Sequence, residues 1–209
     1  LWVGWFGFNA GSNLEANGLT ALAFLNTIVA TAAAALAWTL VEWLARGHAS
    51  ALGAVSGAVG GLVAVTPAAG WVGPMGAIAI GIAAGVVCFW AVTWLKGIFK
   101  YDDSLDVFGV HGVGGIVGAL LTGIFVNPAL GGTGVTNYAA VDATTTMVAY
   151  DFGAQFSAQL WGVGTSVVLS AVVSLIALII IKAIFGIRVS EQAEREGLDI
   201  ATHGERAYN

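Results

Sequence analysis

The chain alternates long apolar runs with short polar breaks. The runs extend from about Gly18 to Ala45, Ser50 to Val65, Pro74 to Gly97, Asp106 to Val126 and Phe152 to Gly186. At about 1.5 Å of rise per residue, most are long enough to cross the roughly 30 Å hydrocarbon layer of a bilayer as helices. They are continuous rather than strictly alternating, which argues for helices over barrel strands. The last run, about 35 residues, is longer than one span and is expected to tilt or project from the membrane. A further run, Leu1 to Ser12, would cover only about 18 Å as a helix, so it reads as the end of a helix that begins before Leu1. Nothing in it resembles a signal peptide. The pattern predicts an all-α, polytopic bundle over residues 1–186 and a polar tail over 187–209.

Composition sharpens this picture. The 209 residues are 58% hydrophobic and 9% charged, and the mean hydropathy is +0.87, whereas a soluble domain carries about 25% charged residues. All seven Lys and Arg (Arg46, Lys96, Lys100, Lys182, Arg188, Arg195 and Arg206) fall at alternate ends of successive runs or in the tail. The positive-inside rule then puts these ends and the tail of a multi-pass membrane protein in the cytoplasm, and the inner membrane is the expected location. The net charge of −5 gives no basis for nucleic-acid binding. One cysteine, Cys88, excludes an intrachain disulfide and a cysteine-based metal site. The 30 glycines include Gly53, Gly57 and Gly61, and Gly81 and Gly85, at the four-residue spacing that brings helices into close contact.

Three stretches carry chemistry. In Asp106-Val-Phe-Gly-Val-His111-Gly-Val-Gly-Gly, an ionisable residue lies within an apolar run, a costly placement that points to a bundle interior or a solute pathway. At 100° per residue, Val107, His111, Gly114, Gly115, Gly118 and Thr122 share one face, so small side chains are expected to leave room beside the imidazole. That ring can donate one hydrogen bond and accept another, which suits a small polar solute or a proton. Bonding to a neighbouring helix is the alternative. Asp106 lies about 140° round the helix from His111 and reads as its N-terminal cap. At the start of the chain, Trp5, Phe8 and Ser12 share a face at i, i+3 and i+7. They read either as an interfacial aromatic belt or as an external mouth where aromatic faces and a hydroxyl receive a cation. In the tail, Ser190 is expected to cap a short helix, Glu191 and Arg195 to pair, and Gly197 to stop it; the residues after Gly197 read as irregular. The long loop Asn127 to Tyr150 shows no evident site. No cofactor, nucleophile or metal-ligand spacing is present, and the chain does not read as an enzyme.

Together, four motifs, Gly4-Trp-Phe-Gly-Phe-Asn-Ala-Gly-Ser12, Thr66-Pro-Ala-Ala-Gly70, Asp106-Val-Phe-Gly-Val-His111-Gly-Val-Gly-Gly115, and the tail motif Glu194-Arg-Glu-Gly-Leu-Asp199 with His203-Gly-Glu-Arg-Ala-Tyr208, closely resemble bacterial ammonium transporters of the Amt/Mep/Rh family. The resemblance implies an eleven-helix protomer built as an inverted repeat, of which this chain is the second half, assembled as a homotrimer. It implies transport of ammonium or ammonia. Phe8 matches a gate phenylalanine, Ser12 the recruitment-site hydroxyl with Trp5 beside it, His111 one of twin pore histidines, and Val107 a pore-lining position; Asp106 matches a structural aspartate. The first pore histidine and the other gate phenylalanine are expected in the missing N-terminal half. The tail, with Gly197, Asp199, His203 and Tyr208, implies a PII-type regulatory partner. An electroneutral Rh-like gas channel and an ammonium sensor are the alternative activities.

Overall fold

The computed structural model describes residues 1–137 and 147–206. Tyr208 and the middle of the loop between Asn127 and Tyr150 lie outside the described residues.

The apolar runs fold as helices, with ends set by local chemistry. Helix α1 spans Trp2–Asn9 and is followed by a 3-10 turn, Gly11–Asn13. Helix α2, Gly18–Arg46, starts where the Asn17 side chain accepts from the amides of Leu19 and Thr20, and ends at Gly47, whose φ of +78° a side-chain-bearing residue rarely adopts. Helix α3, Ala51–Val65, is capped by Ser50. Helix α4, Pro74–Phe99, opens on a proline that gives up no needed donor, and contains a π turn at Ala91–Leu95. Helix α5, Phe108–Phe125, begins with a π turn, Phe108–Val113. Helix α6 is Phe152–Ile184. Helices α2, α4, α5 and α6 are long and apolar enough to cross a membrane.

Helix α3 differs from a full span. Its 15 residues cover about 22 Å, and the chain then turns through Thr66 to Gly73, where Ala68 and Val72 are fully buried. Irregular backbone of this kind is stable at membrane depth only where protein covers it.

The first compact unit, Leu1–Val163, is organised around α2, which packs on both α3 and α4, while α5 packs on α3 and α4. Lipid tails are as apolar as leucine, so close van der Waals fit holds such helices together. The glycine spacing provides that fit. A Cβ at Gly61 would stand 2.5 Å from Ala34 Cβ, one at Gly85 2.5 Å from the Ala34 carbonyl oxygen, and one at Gly57 2.5 Å from Trp38 Cβ. One stripe of α2 is therefore held between the glycine faces of two neighbours. At one end of this contact the buried carboxylate of Glu42 accepts from the Ser50 amide (3.2 Å) and hydroxyl (3.0 Å) and pairs with Arg46 at 3.3 Å.

The loop after α5 forms a 3-10 turn, Pro128–Leu130, and a two-stranded antiparallel ladder of β1 (Val135–Thr136) and β2 (Met147–Val148). Part of this loop is anchored: Thr133 donates to the Trp71 carbonyl through its amide at 2.9 Å and its hydroxyl at 3.1 Å.

The second unit, Gly164–Asn209, contains the rest of α6 and helix α7, Glu191–Glu196. Ser190 caps α7, Arg195 pairs with Glu191 at 2.5 Å, and Gly197 ends it at φ +100°. Residues Asp199–His203 form a π turn closed by Gly204, so the segment expected to be irregular has a local fold.

Candidate functional site

Two hollows, both within the first unit, are lined by four of the residues singled out from the sequence, Phe8 and Ser12 in one and Val107 and His111 in the other. The outer one, about 320 Å³, is lined by Phe8, Asn9, Ser12, Thr66 and Trp71 among others, and none of its lining side chains is charged. Its geometry begins in α1. The Ser12 hydroxyl donates to the Phe8 carbonyl at 2.5 Å, which commits its only proton and leaves the oxygen lone pairs as acceptors. Trp5 reaches the same cluster indirectly. Its ring meets Phe8 edge-on at 5.5 Å, and its indole N–H donates to Thr66 Oγ1 at 2.8 Å. The Thr66 hydroxyl in turn donates to the Leu62 carbonyl at 2.8 Å, so a chain of oriented donors fixes the indole. Trp5, Phe8 and Ser12 thus lie together, in a cluster that continues from the end of α1 into the following 3-10 turn.

Helix α2 supports this hollow from behind. Asn9 Nδ2 donates to Thr27 Oγ1 at 3.0 Å. Asn26 Nδ2 donates to the carbonyls of Ala69 and Val72 at 2.8 and 2.7 Å. Neither Asn26 nor Trp71 stood out in the sequence, although an amide within an apolar run is the same kind of signal that drew attention to His111.

The inner hollow, about 540 Å³, is lined by Val107, His111, Phe108, Tyr101, Asp102 and Asp103. His111 is exposed and Val107 is 50% exposed, so the imidazole borders this space, and it makes no hydrogen bond to a neighbouring helix among the described residues. Burial and the nearby Asp103 carboxylate push the Tyr101 phenol above its ordinary range.

Two expectations about this helix are corrected. Its cap is Asp103, whose two carboxylate oxygens accept from the amides of Val107 (2.9 Å) and Phe108 (2.8 Å). Asp106 has φ +56° and turns to Lys96, 2.7 Å away; Lys96 also donates to the Asp103 carbonyl. One lysine at the end of α4 thereby ties down the loop that starts α5. The other correction concerns the glycines. The π turn adds a residue to the helical repeat and changes the phase between His111 and the rest of α5. Gly118 lies against the Ala64 backbone of α3, and a Cβ at Gly114 would be 3.2 Å from Cys88 Sγ. Both are packing positions and do not clear space beside the imidazole.

Among the described residues no group of His, Cys, Asp or Glu could hold a metal ion. In the tail, Gly197, Asp199 and His203 belong to the α7 end and the π turn.

The family model Ammonium Transporter Family matches residues 1–208. The chain is 49% identical over 209 residues to an ammonium transporter of Aquifex aeolicus, covering all of this chain and 46% of that protein. It is 42% identical over 208 residues to an ammonium transporter of Bacillus subtilis, covering 100% of this chain and 49% of that protein. The chain thus spans about half the length of these curated relatives. Among solved structures it is similar to one titled Sensor Amt Protein, at a TM-score of 0.83 and 29% identity over 97% of this chain and 46% of that one. It is also similar to the crystal structure of Candida albicans Mep2, at a TM-score of 0.78 and 35% identity over 92% of this chain and 41% of that one.

Proposed function

The chain belongs to the ammonium transporter family, and from that membership and the chemistry of the outer hollow we propose that it supplies half of a pore carrying ammonium or ammonia across the membrane. The observation that carries the reading is the Ser12 hydroxyl, held as an acceptor beside Phe8 in a hollow without charged lining. An ammonium ion is all donor. It finds lone pairs at Ser12 and aromatic faces at Phe8 and Trp71, whereas an anion finds no basic side chain there.

Taking the intact cation further, into an apolar passage, carries a large desolvation cost. In the proposed mechanism the ion therefore hands one proton to solvent water in the open hollow near Phe8, NH4+ and H2O giving NH3 and H3O+; the electron pair of the broken N–H bond stays on nitrogen, and neutral ammonia moves inward. His111 offers the ammonia one donor or acceptor nitrogen, and Val107 keeps the passage apolar beside it. The open faces of Phe8, Val107 and His111 support the reading that further helices, the first half of the inverted repeat, complete the pore. Asp106 acts structurally through Lys96.

Family membership is the ground for proposing a homotrimer in the inner membrane; the placement of all seven basic residues on one side supports an orientation with the basic ends and the C-terminal tail in the cytoplasm. The tail, from Gly197 through Asp199 and His203 to Tyr208, receives a PII-type regulator; deleting 197–209 is expected to abolish that binding in pull-down.

The test of the activity is uptake of radiolabelled methylammonium into proteoliposomes bearing the assembled protein, with ammonium and potassium as competitors. Saturable uptake that ammonium suppresses and potassium does not is the expected result. Ammonium binding without uptake would instead identify a sensor.

A further inference from the structure

Asn26 is placed two turns into α2 and is fully buried. Both of its amide protons are used, one on the Ala69 carbonyl at 2.8 Å and one on the Val72 carbonyl at 2.7 Å, more than forty residues further along the chain. These carbonyls belong to the irregular turn after α3, where no water reaches them and an unmet acceptor costs several kcal/mol. The Asn26 Oδ1 atom is itself buried without a partner. An apolar side chain would avoid that cost, so the two donors are what the position supplies. One residue further on, Thr27 Oγ1 accepts from Asn9 at 3.0 Å and donates to Ala23 at 2.7 Å.

A single turn of α2 therefore grips both walls of the outer hollow. Thr27 holds α1 at Asn9, next to Phe8. Asn26 holds the turn that contributes Thr66, Ala69, Gly70 and Trp71 to the lining, and Thr66 passes the constraint on to the Trp5 indole. We infer that Asn26 is a positioning residue that sets the width of the outer hollow and hence the affinity with which it receives a small cation. This rests on the proposed function; the clamp itself is measurable without it.

The experiment compares wild type with Asn26→Leu and Asn26→Ser, the second being small enough to be accommodated if the first fails to insert. Thr39→Ala, which removes an unrelated side-chain bond in α2, is the control. Amide hydrogen exchange over residues 66–73 and at Thr133, whose amide bonds the Trp71 carbonyl, reports the turn directly. Exchange there is expected to accelerate in both Asn26 variants and not in the control. In the assembled transporter, the methylammonium half-saturation concentration is expected to rise about tenfold, the equivalent of about 1.4 kcal/mol of binding, with the maximal rate changed by less than about twofold. Unchanged exchange overturns the clamp. Faster exchange with an unchanged half-saturation concentration overturns the positioning role and leaves a structural one. If wild type itself takes up nothing, the proposed transport fails, while the exchange result still decides whether Asn26 holds the turn.

Discussion

The Ser12 hydroxyl has its proton committed to the Phe8 carbonyl, and this fixes what the outer hollow can recognise. A side chain that presents only acceptors, next to an aromatic ring, selects for donors. Under the proposed function, Ser12→Ala removes a hydrogen bond to a charged group, worth about 1.5–3 kcal/mol, and is expected to raise the methylammonium half-saturation concentration by about ten- to a hundredfold with the protein still folded. An unchanged uptake curve would remove Ser12 from the site. At this scale the sequence was informative where chemistry is rare. A histidine inside an apolar run must be accounted for, and His111 does open onto a hollow. Asn26 carried a similar signal in the same kind of context, yet its role depends on two backbone carbonyls more than forty residues away, a pairing that no local pattern encodes. Trp71 was hidden for a related reason, since it enters the lining through a turn held by its neighbours.

At the scale of elements, long apolar runs give helices because hydrocarbon leaves the backbone no other partners than its own. That is why most of the spans follow from sequence so directly; the cap at Ser190 was legible too, whereas those at Asn17 and Ser50 emerge from the structure. The start of α5 does not. Two aspartates stand three residues apart, and either could cap; the left-handed backbone at Asp106 turns it to Lys96 and gives the cap to Asp103. Asp103→Ala is accordingly expected to lower stability by about 0.5–2 kcal/mol, while Asp106→Asn, which weakens a solvent-screened ion pair, costs less. Thermal unfolding in detergent ranks the two, and the reverse order would return the cap to Asp106. The π turns are equally illegible, because a slipped hydrogen-bond register is imposed by packing. That slip separates His111 from Gly114 and Gly118, which pack against α3 and α4. Glycine spacing is more transparent: Gly61→Leu drives a side chain into the Ala34 and Ala30 contact and is expected to cost about 1–3 kcal/mol or to prevent insertion. Gly162→Ala, where a Cβ meets nothing within 4 Å, should be neutral in the same assay.

For the whole molecule, family membership and partial coverage belong together. The chain matches the ammonium transporter family along nearly all of its own length while spanning about half of its curated relatives. Under the proposed function, the exposed Phe8, Val107 and His111 are faces that the other repeat of the pore would cover. Apolar patterning revealed the membrane class, and four short motifs in order revealed the family. The shape of the two hollows was set by contacts between helices and could not be read in advance. The central claim is that His111 lies on the path of the transported species. It is tested most directly by the current evoked by an ammonium pulse, recorded together with methylammonium uptake, in proteoliposomes bearing the assembled transporter. Wild type is compared with a variant carrying His111→Ala and the same change at the histidine proposed for the other half. Both signals are expected to fall strongly in the variant although it folds and assembles; signals equal to wild type would take His111 off the path.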